Sequence, residues 1–134
     1  MDRVKTFQTP YASRAGAGQP CQAADRDVMS NLFADATPPE QGERFETLLN
    51  QRGVVIERIV SSSRIARERY VQAQDEWVVL LQGEATLDVD GRAIALTSGG
   101  YLFLPAETPH MVLSVTEGAL WLAIHLYPSP SADS

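Results

Sequence analysis

The stretch that decides the fold is "DEWVVLLQG", residues 75–83, an apolar run between two acidic residues and a glycine. Alternate side chains of a strand point to opposite faces, so Val78 and Leu80 share the side of Glu76, while Trp77 and its neighbours take the other side. Both faces are therefore apolar, which is typical of a strand covered on both sides. The stretch predicts a central strand of a β protein, with cover outside the sheet as well as inside.

Similar short runs follow one another from Val54 to Tyr127, separated by turn residues. The candidate strands are 54–60, 64–72, 76–82, 85–89, 93–96, 101–104, 110–115 and 119–127. Asp90-Gly91 is the clearest hairpin signal, because a tight two-residue turn needs positive φ at both positions. About eight short strands at this spacing indicate an all-β antiparallel sandwich or barrel.

The chain before Val54 reads differently. Residues 1–28 are rich in small and polar residues and predict a flexible extension, and residues 29–53 predict a helical segment. The barrel is then expected over 54–127, with a tail over 128–134.

The predicted helix depends on local signals between Thr37 and Gly53. Thr37 precedes Glu40 by three residues, which is a capping-box pattern, and Gly53 is a typical stop. Three apolar residues then fall on one helical face: Phe45, Leu48 and Leu49. These features predict one short amphipathic helix in front of the strands.

Composition limits the class of protein. The 134 residues carry a net charge of −6, which argues against nucleic acid as a partner because that would need a basic surface. The lone Cys21 forms no internal disulfide, and the sequence has no apolar run long enough for a membrane span. We therefore expect a cytoplasmic protein whose partners are neither nucleic acid nor membrane.

Two spaced motifs carry a family resemblance. Glu76 is followed after six residues by Gly83, and residues 99–110, "GGYLFLPAETPH", place a glycine, a proline and His110 at regular intervals. This ordered pair resembles the two motifs of the cupin superfamily, and more narrowly small single-domain cupins. The resemblance implies a jelly-roll β-barrel, or double-stranded β-helix, preceded here by the short helix, usually dimeric, with a pocket in the barrel mouth.

The first motif departs from the metal-binding pattern of that family. Metal-binding cupins have two histidines shortly before the glutamate, where this chain has Tyr70 and Gln72, or Arg69 and Val71 on the longer spacing. The resemblance therefore supplies only His110 and Glu76 as strong ligands, with Gln72 as a third. A single Zn, Fe, Ni or Mn ion at these three residues and the absence of any cofactor are both open.

Strand parity groups the candidate site residues. Tyr70, Gln72 and Glu76 share one side of their strands, and we expect His110 to meet them across the barrel mouth. His110, Glu76 and Tyr70 are the candidate catalytic groups, and Gln72 and Arg64 are candidate ligand-binding groups, Arg64 as a cation for an anionic ligand. His125 is either a second pocket histidine or a structural one.

The predicted function is binding of a small polar or acidic molecule in the barrel. The alternatives are a metal-dependent dioxygenase, isomerase or decarboxylase, a metal-free acid–base enzyme, and a non-catalytic sensing or structural dimer module. The strands that are apolar on both faces also predict a homodimer.

Overall fold

The protein is described by a computed structural model covering residues 30–128 and the backbone of Val4–Lys5. The described residues form ten strands: β1 (Val4–Lys5), β2 (Glu43–Gln51), β3 (Val54–Ser61), β4 (Arg69–Tyr70), β5 (Asp75–Gln82), β6 (Ala85–Val89), β7 (Arg92–Leu96), β8 (Tyr101–Leu104), β9 (His110–Val115) and β10 (Ala119–Leu126). No helix is present in the described part of the chain. The predicted flexible extension, 1–28, and most of the predicted tail, 128–134, lie outside the described residues.

The strands form two five-stranded sheets. One sheet has the order β1-β4-β9-β6-β7 and the other β2-β3-β10-β5-β8, and every pairing except β1 with β4 is antiparallel. The inward side chains of the two sheets share one apolar core, including Ile59 and Leu80 from one sheet and Leu87 and Val115 from the other. The predicted all-β jelly-roll barrel is thus confirmed.

Turn chemistry sets the register at two places. Asp90 and Gly91 both have positive φ and connect β6 to β7 with Val89 opposite Arg92, so the predicted hairpin is confirmed. Gly83, the glycine of the first motif, has φ +104°, and a Cβ there would lie 2.7 Å from the Thr116 hydroxyl oxygen. A larger residue would push the start of β6 away from the loop before β10.

The predicted helix is wrong, because residues 43–51 form strand β2. β2 pairs with β3 through a two-residue turn, Arg52-Gly53, in which both residues have positive φ. The register shifts between Thr47 and Leu49, and this β-bulge adds one residue to the alternation. The extra residue turned a strand period into an apparent helical spacing of Phe45, Leu48 and Leu49. Gly53 closes a hairpin instead of ending a helix.

The outer face of the sheet that contains β5 is apolar. The rings of Trp77 and Tyr101 lie 5.5 Å apart there, and Tyr101, Phe103 and Leu126 are exposed. A patch of this kind is what the predicted homodimer would cover, and the homodimer stays a prediction. Residues 30–128 contain no helix that is long and apolar enough to cross a membrane.

Candidate functional site

A partly open cavity of about 80 Å³ lies between the two sheets, enough for several water molecules or a small ligand. Its polar lining comes from both sheets: Glu43, Glu57, Tyr70, Gln72, Glu76, His110 and His125. The remaining wall is apolar and includes the aromatic rings of Phe45 and Trp121. A mostly apolar pocket with a few convergent polar groups is the usual form of a small-molecule site.

Four of the predicted site residues meet at this cavity. Tyr70 lies opposite His110 in the β4–β9 pairing, and their rings stack with centroids 5.8 Å apart. Gln72 is buried beside them, and its side-chain amide donates a 2.8 Å hydrogen bond to Glu76 Oε1. The row of polar side chains before the central strand is therefore part of the cavity wall.

Arg64 is the predicted residue that the structure places elsewhere. It is exposed, and it does not line the cavity. Residues 64–68 form no strand, although the sequence predicts one over 64–72. The alternation that assigned Arg64 to the pocket side therefore does not extend to it.

A buried hydrogen-bonded network that sequence reasoning missed lies at the same cavity. His125 Nε2 is 3.1 Å from Glu57 Oε1, and His125 Nδ1 is 3.1 Å from the side-chain amide nitrogen of Gln74. With the Gln74 amide donating to Nδ1, the imidazole is neutral and donates its Nε2–H to the Glu57 carboxylate. Glu57 and His125 are each 1% exposed, so the network is almost wholly removed from solvent.

The sequence carries a weak signal for each of these residues. Glu57 interrupts the apolar run of β3, and a charged residue within a buried strand usually has a partner or a function. His125 shares a strand face with Trp121, which also lines the cavity. Glu43 was hidden because it belonged to the misassigned helix.

Glu43 completes the acidic side of the cavity. Ser61 Oγ donates to Glu43 Oε2 at 2.9 Å, and the Trp121 indole N–H donates to Ser61 Oγ at 3.0 Å. Burial raises the pKa of Glu43, the Ser61 hydrogen bond opposes this, and the charges of Glu76 and Glu57 raise the pKa further. Glu43 thus takes up a proton more readily than an ordinary glutamate.

His110 has one ring nitrogen fixed by the backbone. Its Nδ1 lies 3.1 Å from the carbonyl oxygen of Thr108, so the neutral ring carries its proton on Nδ1 and donates it to that carbonyl. Nε2 is then the atom that can accept a hydrogen bond or a proton.

The metal that the cupin resemblance implies can be tested on the donor chemistry. Within residues 30–128 no group of three or more His, Cys, Asp or Glu side chains is placed to hold a metal ion. Gln72 directs its amide N–H, not its oxygen, at Glu76, and Tyr70 holds its proton at neutral pH. These residues do not fit a resident divalent ion, and the metal-dependent alternative stays a prediction.

The pKa of Tyr70 gives a testable pH dependence. Burial, the charges of Glu43 and Glu68, the hydrogen bond to Glu68 and the charge of Glu76 raise the pKa of its hydroxyl to about 12. Because the folded protein holds this proton more tightly than the unfolded chain, the stabilisation is complete below about pH 10 and is lost between about pH 10 and about pH 12. We expect the loss to be about 1–2 kcal/mol, after allowance for solvent screening of this half-buried group.

Urea unfolding at about pH 9 and about pH 11.5 measures this difference. Tyr70→Phe should remove that part of the fall in the free energy of unfolding. Tyr101→Phe, on the exposed outer face, is the matched control and should leave the fall in place. An identical fall in wild-type protein and Tyr70→Phe would contradict the assignment.

Comparison with known proteins agrees with this architecture. Residues 62–125 match the family described as Cupin domain. The chain is 34% identical to a candidate mannose-6-phosphate isomerase from Ralstonia eutropha JMP134, covering 75% of this chain and 98% of that one, with a TM-score of 0.67. The chain therefore belongs to the cupin superfamily.

More distant structures share the fold. A conserved Streptococcus pyogenes protein of unknown function is 18% identical, with 85% of this chain and 99% of that chain covered and a TM-score of 0.69. The Cupin_2 domain of an XRE family transcriptional regulator from Enterobacter cloacae is 17% identical, with 66% and 99% covered and a TM-score of 0.58. No curated protein matches the sequence.

Proposed function

We propose that this cupin binds a small polar organic molecule in the cavity between its sheets. The observation that carries the proposal is the convergence of Glu76, His110, Tyr70 and Gln72 on one cavity that is otherwise apolar. Apolar walls supply the burial energy, and the few polar groups select and orient the ligand.

The similarity to a candidate mannose-6-phosphate isomerase suggests a sugar phosphate, but the cavity does not favour one. A phosphate group is usually bound by Arg, Lys, backbone N–H groups or a metal. Among residues 30–128 no Arg or Lys lines the cavity, and Arg64 lies outside it. An acidic ligand is therefore less well supported than a neutral or a positively charged one.

Acid–base catalysis on the bound molecule is a second candidate function. The Thr108 carbonyl holds the His110 proton on Nδ1, which leaves Nε2 as a base at the cavity wall. Histidine titrates near neutral pH and can take and return a proton without a metal. A sensing module with the same cavity would bind its ligand without turnover, and turnover of a bound ligand separates the two.

A cavity-filling variant tests the binding proposal. Val112→Phe adds volume inside the cavity, whereas Val79→Phe makes the same change on the outer face of the other sheet. Saturation-transfer NMR with a mixture of small polyols, amides, amines and carboxylic acids should show binding to wild-type protein and to Val79→Phe. Binding to Val112→Phe should weaken by about tenfold or more, because overpacking excludes the ligand.

Circular dichroism confirms that both variants are folded. Equal binding to Val112→Phe and wild-type protein would place the ligand outside the cavity and contradict the proposal. Absence of binding to wild-type protein by every member of the mixture would also count against it.

A further inference from the structure

The cavity has an unusual charge balance for the inside of a barrel. Three carboxylic side chains line it, from Glu43, Glu57 and Glu76, and no Lys or Arg among residues 30–128 does. Arg69 lines a separate surface depression beside His110, together with Asp88 and Asp90. Burial of a carboxylate costs free energy unless a positive charge or hydrogen bonds compensate it. The hydrogen-bond partners of these three side chains therefore show what a ligand would have to supply.

Each of the two most buried carboxylates uses one oxygen and leaves the other open. Glu57 Oε1 accepts from His125, and Glu76 Oε1 accepts from Gln72. Neither second oxygen has a hydrogen-bond partner among the described residues, although Glu57 is 1% exposed and Glu76 is 8% exposed. Carboxylate oxygens that line a cavity and have no donor in the protein can accept a hydrogen bond from a ligand.

Several donors at or beside the cavity wall hydrogen-bond to neighbouring residues. The Trp121 indole N–H donates to Ser61, and the Ser61 hydroxyl donates to Glu43. His110 gives its Nδ1 proton to the Thr108 carbonyl and presents Nε2 as an acceptor. The cavity therefore presents mainly acceptors, and a complementary ligand must bring hydrogen-bond donors and positive charge.

The wall also selects the kind of cation. The described carboxylates and histidines do not converge on one point closely enough to coordinate a metal ion. Phe45, Tyr70 and Trp121 contribute aromatic surface beside them, and aromatic faces attract organic cations. An organic cation carries several N–H donors, which can reach acceptors that are spread over the cavity wall, whereas a metal ion needs its ligands around one point.

We propose that the ligand of this cavity is a small organic cation, a protonated amine or amidine, whose N–H groups are bound by Glu57, Glu76 and His110. This inference rests on the proposed binding function and adds the ligand's charge. Glu43 lies at the same wall, where burial raises the pKa of its carboxyl group and Ser61 Oγ donates a hydrogen bond to it.

A series of probes that differ only in charge tests the proposal. Isothermal titration calorimetry at neutral pH compares n-butylammonium, n-butanol and n-butyrate, each at concentrations up to about 10 mM. Butylammonium should bind about tenfold more tightly than butanol, because a hydrogen bond to a charged acceptor is stronger than a neutral one. Butyrate should bind more weakly than butanol, because it meets like charge.

Two variants assign the preference to the cavity carboxylate. Glu76→Gln keeps the shape and the Gln72 contact but removes the charge, and it should weaken butylammonium binding about tenfold while leaving butanol binding unchanged. Glu84→Gln makes the same change at an exposed position outside the cavity and should leave both unchanged. The preference of the wild-type protein for butylammonium remains a test even if Glu76→Gln fails to fold.

The outcomes separate this proposal from the binding function. Butanol binding with no preference for butylammonium, or tighter binding of butyrate, would retain a small-molecule site and overturn its cationic ligand. Stoichiometric Zn²⁺ binding that blocks butylammonium would assign the acceptors to a metal ion and also overturn it. A protein that binds none of the three organic probes contradicts both proposals.

Discussion

Replacement of His125 with leucine is expected to lower the free energy of unfolding by about 3–5 kcal/mol, because it leaves two buried polar side chains without their hydrogen-bond partner, at about 1–3 kcal/mol each. One of them is Glu57, whose carboxyl oxygen would lose its hydrogen-bond donor at 1% exposure. Loss of the imidazole also leaves the Gln74 amide without its partner. Urea unfolding of both proteins at neutral pH measures the difference.

The double variant isolates the pairwise interaction. Glu57→Leu combined with His125→Leu removes both polar groups, so it should be less destabilised than His125→Leu alone. The same substitution at the half-buried His110 is the matched control, and it should change the free energy of unfolding by about 1 kcal/mol or less, because His110 gives up only one hydrogen bond to a backbone carbonyl. If the effects of Glu57→Leu and His125→Leu, each measured alone, add up to the effect of the double variant, Glu57 and His125 are not coupled.

Replacement of Arg58 with alanine should have the second largest effect on stability, about 3 kcal/mol or more. Arg58 is 5% exposed, and its guanidinium donates to Glu46 and to three backbone carbonyls, those of Leu32, Ala34 and Asp35. Hydrogen bonds made by a charged group are stronger than neutral ones, and here four acceptors lose their donor together. The segment 31–37 would lose one of its attachments to the barrel.

Arg44→Ala is the control for this prediction, because the half-buried Arg44 donates to the carbonyls of Asp35 and Thr37 through hydrogen bonds that are exposed to solvent. Its removal should lower the free energy of unfolding by about 1 kcal/mol. Hydrogen exchange should report faster exchange of amides in 31–37 for Arg58→Ala than for Arg44→Ala. Equal effects of the two variants would mean that burial of Arg58 adds nothing.

Most of the barrel could be predicted because most of its strands are indicated by short local sequence patterns. The run at Trp77–Leu81 and the Asp90-Gly91 turn each determine a strand or a hairpin within ten residues. Two positions defeated the same reasoning for physical reasons. The bulge before Leu49 disguised β2 as a helix, and the irregular residues 64–68 broke the parity that assigned Arg64 to the cavity.

The candidate site was half predictable. Tyr70, Gln72 and Glu76 lie close together in the sequence, and the motif spacing added His110. The Glu57–His125 contact joins residues 68 positions apart. It depends on the register between β3 and β10, which no local pattern encodes. Charge patterning within a single strand shows that Glu57 needs a partner but does not identify the partner.

Strand β2 has a consequence for solubility. It is an outermost strand of its sheet, nine residues long, so a regular β2 would offer a template for pairing with other chains and for aggregation. The bulge between Thr47 and Leu49 interrupts that template, and Arg44 and Glu46 place charges along it. The same β-bulge that gave the sequence a helical spacing should therefore limit polymerisation of the folded protein through the edge of strand β2.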